Sequence, residues 1–231
     1  MVNKEGDKLS DYPYTKVDED TVKKILEILE SESSKWNAPV KVLKSKTSEP
    51  FRVLISAIIS TRTKDEVTVE STERLFPLAK TPYELARLDV IEIEKAIYPC
   101  GFFRTKAKNI KETSRILFEE FNSRVPDNME DLLRLPGVGR KVANIVLSRV
   151  YGQKAIAVDT HVHRISNRVG LVNTKTPEET ELELTKVLPQ EWQSRFNELM
   201  VAFGQVICRP IKPWCDECPI SKYCPKIRVK R

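Results

Sequence analysis

The chain has 231 residues, 40% hydrophobic and 31% charged, which is enough for one large packed domain or two small ones and too apolar for global disorder. Its 39 Lys and Arg against 33 acids leave a charge of +6, a balance that suits a polyanionic partner without requiring one. No apolar run approaches the roughly 20 residues of a membrane span, and MVNKEGDKLSDYPY lacks the apolar core of a signal peptide. A soluble cytoplasmic protein with no membrane partner is expected, nucleoid-associated if prokaryotic.

Helix signals then follow one another with few breaks. DEDTVKKILEIL offers Asp20 as a cap ahead of Val22, Ile25, Leu26 and Leu29 at helical spacing. SEPFRVLISAIIS begins at a capping Ser48, with Pro50 in the first turn. TPYELARL and, further on, TPEETELELTKVL each set a threonine cap before a proline, with acids in the first turn. RTKAKNIKETSRILFEEF reads as a long amphipathic helix, NMEDLLRL as a short one ending before Pro136, and EWQSRFNELMVAFGQVI as the last long one. Convincing period-2 strands are absent, so the expected fold class is all-α.

The stretch LPGVGRKVANIVL carries the first chemistry. Gly137-Val138-Gly139 is not a dinucleotide fingerprint, because a helical segment precedes it and Val142 holds the third glycine position. A helix, a tight Gly-x-Gly turn and a second helix remain. That geometry either serves packing alone or aims backbone N–H groups at a phosphate. In the second helix Val142, Ala143, Ile145, Val146 and Leu147 are apolar, while Lys141, Asn144 and Ser148 form one polar stripe. Lys141 is thus either a partly desolvated nucleophile or a lysine that snorkels to solvent.

Next, AIAVDTHVHRISNRVG places Asp159 as a natural helix cap, either a plain cap or a carboxylate held ionised for chemistry. The pair His161 and His163 does not suggest a metal site, since adjacent helical positions do not converge on one ion. At the end, Cys208, Cys215, Cys218 and Cys224 fall within 17 residues, while Cys100 stands alone. Four thiols so close can ligate one tetrahedral ion or one iron–sulfur cluster. Residues 205–231 also carry seven Lys and Arg against two acids, which suits a phosphate backbone.

Taken in this order, LPGVGRKVANIVL, VDTHVHRISNR and the C-x6-C-x2-C-x5-C tail resemble the endonuclease III family of DNA glycosylases, from about Pro50 to Cys224. The resemblance implies a helix–hairpin–helix glycosylase fold of two helical lobes, residues 43–153 and residues 1–42 plus 154–231, with a C-terminal [4Fe–4S] cluster loop on the four cysteines. It implies Lys141 as nucleophile and Asp159 as its partner, removing oxidised pyrimidines flipped from damaged double-stranded DNA and nicking the strand by β-elimination. The hairpin residues Leu135, Gly137, Val138, Gly139 and Arg140, together with His161, would contact DNA. Phe102 fits an apolar wedge between base steps, or an ordinary core residue. Arg62 stands where the family commonly has glutamine, and would meet an orphaned base or a phosphate. Asp65 matches a family aspartate of unassigned role, and Lys106 is a candidate phosphate contact. A monomer is expected. The competing readings are a mismatch or alkylation glycosylase of the same fold, and a non-enzymatic DNA-binding or electron-transfer module.

Overall fold

The computed structural model describes residues 16–41 and 49–229, and among them it is helical without a strand. The helices are α1 (Glu19–Ser33), α2 (Pro50–Ser60), α3 (Asp65–Leu75), α4 (Pro82–Arg87), α5 (Val90–Ile97), α6 (Phe103–Glu120), α7 (Met129–Arg134), α8 (Arg140–Arg149), α9 (Thr160–Val169), α10 (Pro177–Val187) and α11 (Gln190–Val206). Thr81 and Thr176 cap α4 and α10, as their Thr-Pro starts predict. The first cap differs from expectation. Asp18, not Asp20, accepts from the Thr21 N–H, which leaves Asp20 in the first turn. Glu49 caps α2 through the Phe51 and Arg52 N–H groups, while Ser48 lies outside the described residues.

Two further helices, α3 and α5, are not among those expected, and only α3 departs from the apolar pattern. The buried face of α3 is made of Thr68, Ser71 and Thr72 beside Leu75. Their hydroxyls stay satisfied inside: Thr68 donates to the Lys64 carbonyl at 3.0 Å, Thr72 to Thr68 at 2.7 Å, and Ser71 to Ile97 of α5 at 3.0 Å. α5 is set by a capping box between Asp89 and Glu92 and buries Ile93, Ala96 and Ile97.

Buried side chains fall into two cores. One is built from α2 to α8 around Leu54, Ile55, Ile58 and Ile59. The other joins α1 to α9, α10 and α11, with Trp36 stacked on Phe203 at 5.6 Å between ring centres. The chain passes from the first to the second at Ala155–Ile156. Polar bonds cross between them: Asn144 donates to the Ile156 carbonyl at 3.0 Å, and Gln205 to the Asp65 carboxylate at 2.7 Å.

α9 and α11 approach closely at Gly204, where an added Cβ would lie 2.5 Å from His161 Nδ1 and 2.8 Å from Ile165 Cδ1. Gly204→Ala should therefore cost about 1–3 kcal/mol through overpacking. A fall in the urea midpoint is the expected result; an unchanged midpoint would mean that these helices do not pack this tightly.

Candidate active site

A cavity of about 90 Å³ opens between the two cores, and Lys141, Asp159, Asp65 and Ser60 all line it. Lys141 comes from the first turn of α8, half-buried, with Nζ 3.5 Å from Ser60 Oγ. The Ser60 hydroxyl donates to the Ala57 carbonyl at 2.8 Å, so toward the amine it can only accept. Asp159 comes from the other core as the cap of α9. Its Oδ1 accepts from the His161 and Val162 N–H groups at 2.9 Å each, which fixes the carboxylate against the cavity. Asp65, at the start of α3, is pushed up from the usual carboxylate range by burial, against the Gln205 hydrogen bond and the Lys141 charge. One amine and two carboxylates from both cores thus share one enclosure.

The Gly-x-Gly turn stands at the rim. Gly137 has a φ of +82°, and a Cβ there would meet the Asn109 side chain at 3.0 Å, so only glycine fits. Nothing lies within 4 Å of where a Cβ on Gly139 would sit, and α8 has no side-chain cap. The first-turn N–H groups therefore face open space, the arrangement that receives an anion. Leu135 and Val138 bury their side chains in the first core. The Arg140 guanidinium forks onto Glu181 of α10, with Nε at 3.1 Å from Oε2.

Two loops project beside this rim. Phe102 is 61% exposed and left-handed at φ +58°, which removes the core alternative. Arg62, also left-handed at φ +54°, lies with its guanidinium 5.3 Å from the centre of the Phe102 ring. The two loops are joined from beneath. Lys106 Nζ donates to the Ile59 and Thr61 carbonyls at 2.6 Å each and to Thr63 Oγ1 at 2.7 Å. Lys106 is buried, and its three donors are taken by these oxygens, so the expected phosphate contact is corrected to an internal strut.

His161 and His163 diverge. Burial pushes the His161 imidazole down from its ordinary range, with the Asp159 charge opposing, and the ring lies over Gly204. His163 Nδ1 instead meets Thr180 Oγ1 at 2.6 Å. The four clustered cysteines line one cavity with Arg168, Phe203 and Ile220. Arg168 organises it, reaching Cys208 Sγ at 3.3 Å and the Arg209 carbonyl at 2.9 Å, and Lys226 N donates to Cys224 Sγ at 3.3 Å. Burial and the charges of neighbouring cysteines push Cys218 and Cys224 up to about 11. Among the described residues no three Cys, His, Asp or Glu side chains converge on a single-ion site. Sequence reasoning passed over Ser60, Gln205, Arg149 and Glu198. The folded cavity brings Ser60, Arg149 and Glu198 to Lys141, and Gln205 reaches it only through its bond to Asp65.

Known proteins show the same arrangement of elements. Residues 55–190 match the HhH-GPD superfamily of base excision DNA repair proteins. Endonuclease III of Thermotoga maritima is 51% identical over 179 residues, 78% of this chain and 84% of that protein. A trapped covalent intermediate of endonuclease III with DNA superposes with a TM-score of 0.82 at 32% identity, covering 91% of this chain and 97% of that one. A thermostable thymine-DNA glycosylase superposes at 0.77 with 26% identity, over 90% and 96% of the two chains.

Lys106→Met keeps the stem and removes the ammonium. It should cost more than about 2 kcal/mol, because charge-assisted bonds are lost and buried oxygens are left unpaired. Urea unfolding would register it. A variant of unchanged stability whose DNA affinity fell with a shallower salt dependence would restore the phosphate role.

Proposed function

The chain belongs to the endonuclease III family of the HhH-GPD superfamily, and from that membership we propose that Lys141 is the nucleophile, and Asp159 its carboxylate partner, of a DNA glycosylase and abasic-site lyase acting on oxidised pyrimidines. One observation carries the assignment. An amine and a carboxylate from two separate cores line the same cavity, beside a helix start open to an anion. A mere DNA binder needs neither group in an enclosure.

The chemistry follows from these groups. The hairpin N–H groups hold a phosphate, and the flipped nucleotide enters between the lobes. Lys141 Nζ, as the free amine, attacks C1′; the C1′–N bond breaks and the base leaves with the bonding pair and a proton. Opening of the sugar ring gives a Schiff base. Loss of a 2′ proton then expels the 3′ phosphate, nicking the strand on its 3′ side. Asp159 faces the positive charge that develops on the sugar and the imine, and its two N–H bonds hold it there without further reorganisation. Ser60 orients the amine. Phe102 is the wedge that fills the vacated stack, with Arg62 beside it toward the opposite strand. The proposed division into a middle lobe and a lobe joining the N-terminal helix to the C-terminal third is supported, among the described residues, by the two cores. Both reacting groups come from one chain, so a monomer suffices.

The cysteine pocket fits a [4Fe–4S] cluster. Four thiols line one enclosure without meeting at a point, and N–H donors from Arg168 and Lys226 reach two of the sulfurs. When bound, the cluster would fold the basic loop after α11, and no step of the reaction passes through it.

Borohydride trapping tests the nucleophile. Duplexes carrying an oxidised thymine should give a covalent adduct that Lys141→Gln abolishes while DNA binding persists. Trapping that survives in the variant would refute the assignment, and an adduct only with a G·T mismatch would favour a thymine mismatch enzyme. For the cluster, Cys215→Ser should lower both bound iron and the melting temperature. Purified protein that binds zinc alone, with unchanged melting, would exclude it.

A further inference from the structure

Among the described residues three carboxylates line the cavity with Lys141, and they are not equivalent. Asp159 is tied through Oδ1 to the two N–H groups of the α9 cap. Glu198 of α11 acts with its charge on the Arg149 guanidinium at the end of α8. Asp65 instead accepts from a neutral amide, Gln205 Nε2, at 2.7 Å on Oδ2. Gln205 Oε1 takes the Val40 N–H at 3.3 Å, which turns the amide so that its nitrogen faces Asp65. An ionised carboxylate accepts at both oxygens, so one bond to Oδ2 leaves Oδ1 able to take a proton. Burial pushes Asp65 up from the usual carboxylate range. Glu66 on the same helix and Asp159 across the cavity push the same way, while the Gln205 bond and the Lys141 charge oppose. The Asp65 charge is also felt by the His161 imidazole. A carboxylate that holds protons more tightly than an exposed one is the better base, and two carboxylates in unlike surroundings take unlike tasks.

Attack by the lysine leaves a proton to be moved. Once Nζ is bonded to C1′ it carries two hydrogens and a positive charge, and no imine forms until one of those protons leaves. The Ser60 hydroxyl beside it is far too weak a base. We propose that Asp65 is the general base that takes this proton from Lys141 Nζ and returns it to O4′ as the sugar ring opens. The Asp65 carboxylate removes one Nζ proton, and the freed nitrogen pair forms the C1′=N bond. The C1′–O4′ bond breaks with its pair on O4′, and the proton passes from Asp65 to that oxygen. A hydroxyl, a protonated imine and the Asp65 carboxylate result, with no proton gained or lost. Asp159 stays the fixed counter-charge throughout. The inference rests on the reading of Lys141 as the nucleophile.

Duplexes carrying an abasic site isolate the step, because no base has to leave while the Nζ proton still must. Schiff-base formation by the whole protein is timed in single turnover, with aliquots quenched into borohydride across a pH series. Asp65→Asn keeps the size and can still accept from Gln205, and it should slow adduct formation at neutral pH by about a hundredfold. Only the ionised carboxylate is a base, so the wild-type rate should fall as the pH drops through the raised Asp65 ionisation, and the variant should lack that limb. Asp65→Ala should regain rate when formate, a small carboxylate, is added, and not with chloride. Gln205→Met keeps the carboxylate and serves should the other variants not fold. It removes a donor to the charged form, so the limb should move to higher pH. A merely structural role lowers the rate alike at every pH and gives no rescue by formate. That result, a limb unmoved in Gln205→Met, or an Asp65→Asn rate within about threefold of the wild type would overturn the inference and leave the lysine assignment intact. A wild type that gives no adduct, or an adduct that survives in Lys141→Gln, would overturn both.

Discussion

Helix α8 packs its apolar face into one core while its polar stripe borders the other, and that position places the candidate site. Val142, Ala143, Val146 and Leu147 face the first core. The remaining stripe of Lys141, Asn144 and Ser148 falls on the seam between cores, where a polar group must find a partner or cost about 1–3 kcal/mol. Asn144 finds the carbonyl of Ile156. From the other side Asn197 takes the carbonyl of Ala157. Two amides, one from each core, thus pin adjacent residues just ahead of Asp159. The carboxylate comes to share a cavity with the lysine because the crossing chain is clamped from both lobes, and the α9 cap fixes its rotamer.

The rim is built on a different principle. Arg62 and Phe102 both hold left-handed backbone, which costs a non-glycine residue on the order of 1–3 kcal/mol each at such sites. The loops also come close, since a Cβ on Gly101 would lie 2.5 Å from the Arg62 carbonyl oxygen. Lys106 makes this arrangement tenable. Its buried ammonium would be prohibitive alone, but three oxygens of the Arg62 loop and the helix before it surround the charge. An exposed aromatic ring is held rigidly in solvent by a charge hidden beneath it, which suits a wedge that must enter a base stack without collapsing.

Legibility in the sequence followed the physics of each element. The long helices, their Thr-Pro starts and the Gly-x-Gly turn were readable because periodicity and caps are local. Asp18 in place of Asp20 was a shift of two residues within an acidic run, where several side chains compete to cap. α3 was invisible because its buried face is threonine and serine, whose hydroxyls bond back to their own helix or to α5. Lys106 misled for a related reason. A lysine on an amphipathic helix carries no mark of burial in sequence, and its acceptors belong to a loop more than forty residues away. Lys141 stands out on its polar stripe and Asp159 as a cap, and motif resemblance joins them and adds Asp65, while Ser60, Arg149 and Glu198 gain their place only from the cavity.

The charge of that cavity explains how rim and interior divide the substrate. Lys141 and Arg149 bring two positive side chains, while Asp65, Asp159 and Glu198 bring three acids, so the formal balance inside is negative. On the proposed reading, a phosphodiester would be repelled by such an enclosure and held by the uncapped N–H groups at the start of α8. A neutral base meets no such barrier. Backbone outside and base inside is the partition that would bring C1′, the atom joining the two, to the mouth of the cavity, where Lys141 in the first turn of α8 is the proposed nucleophile.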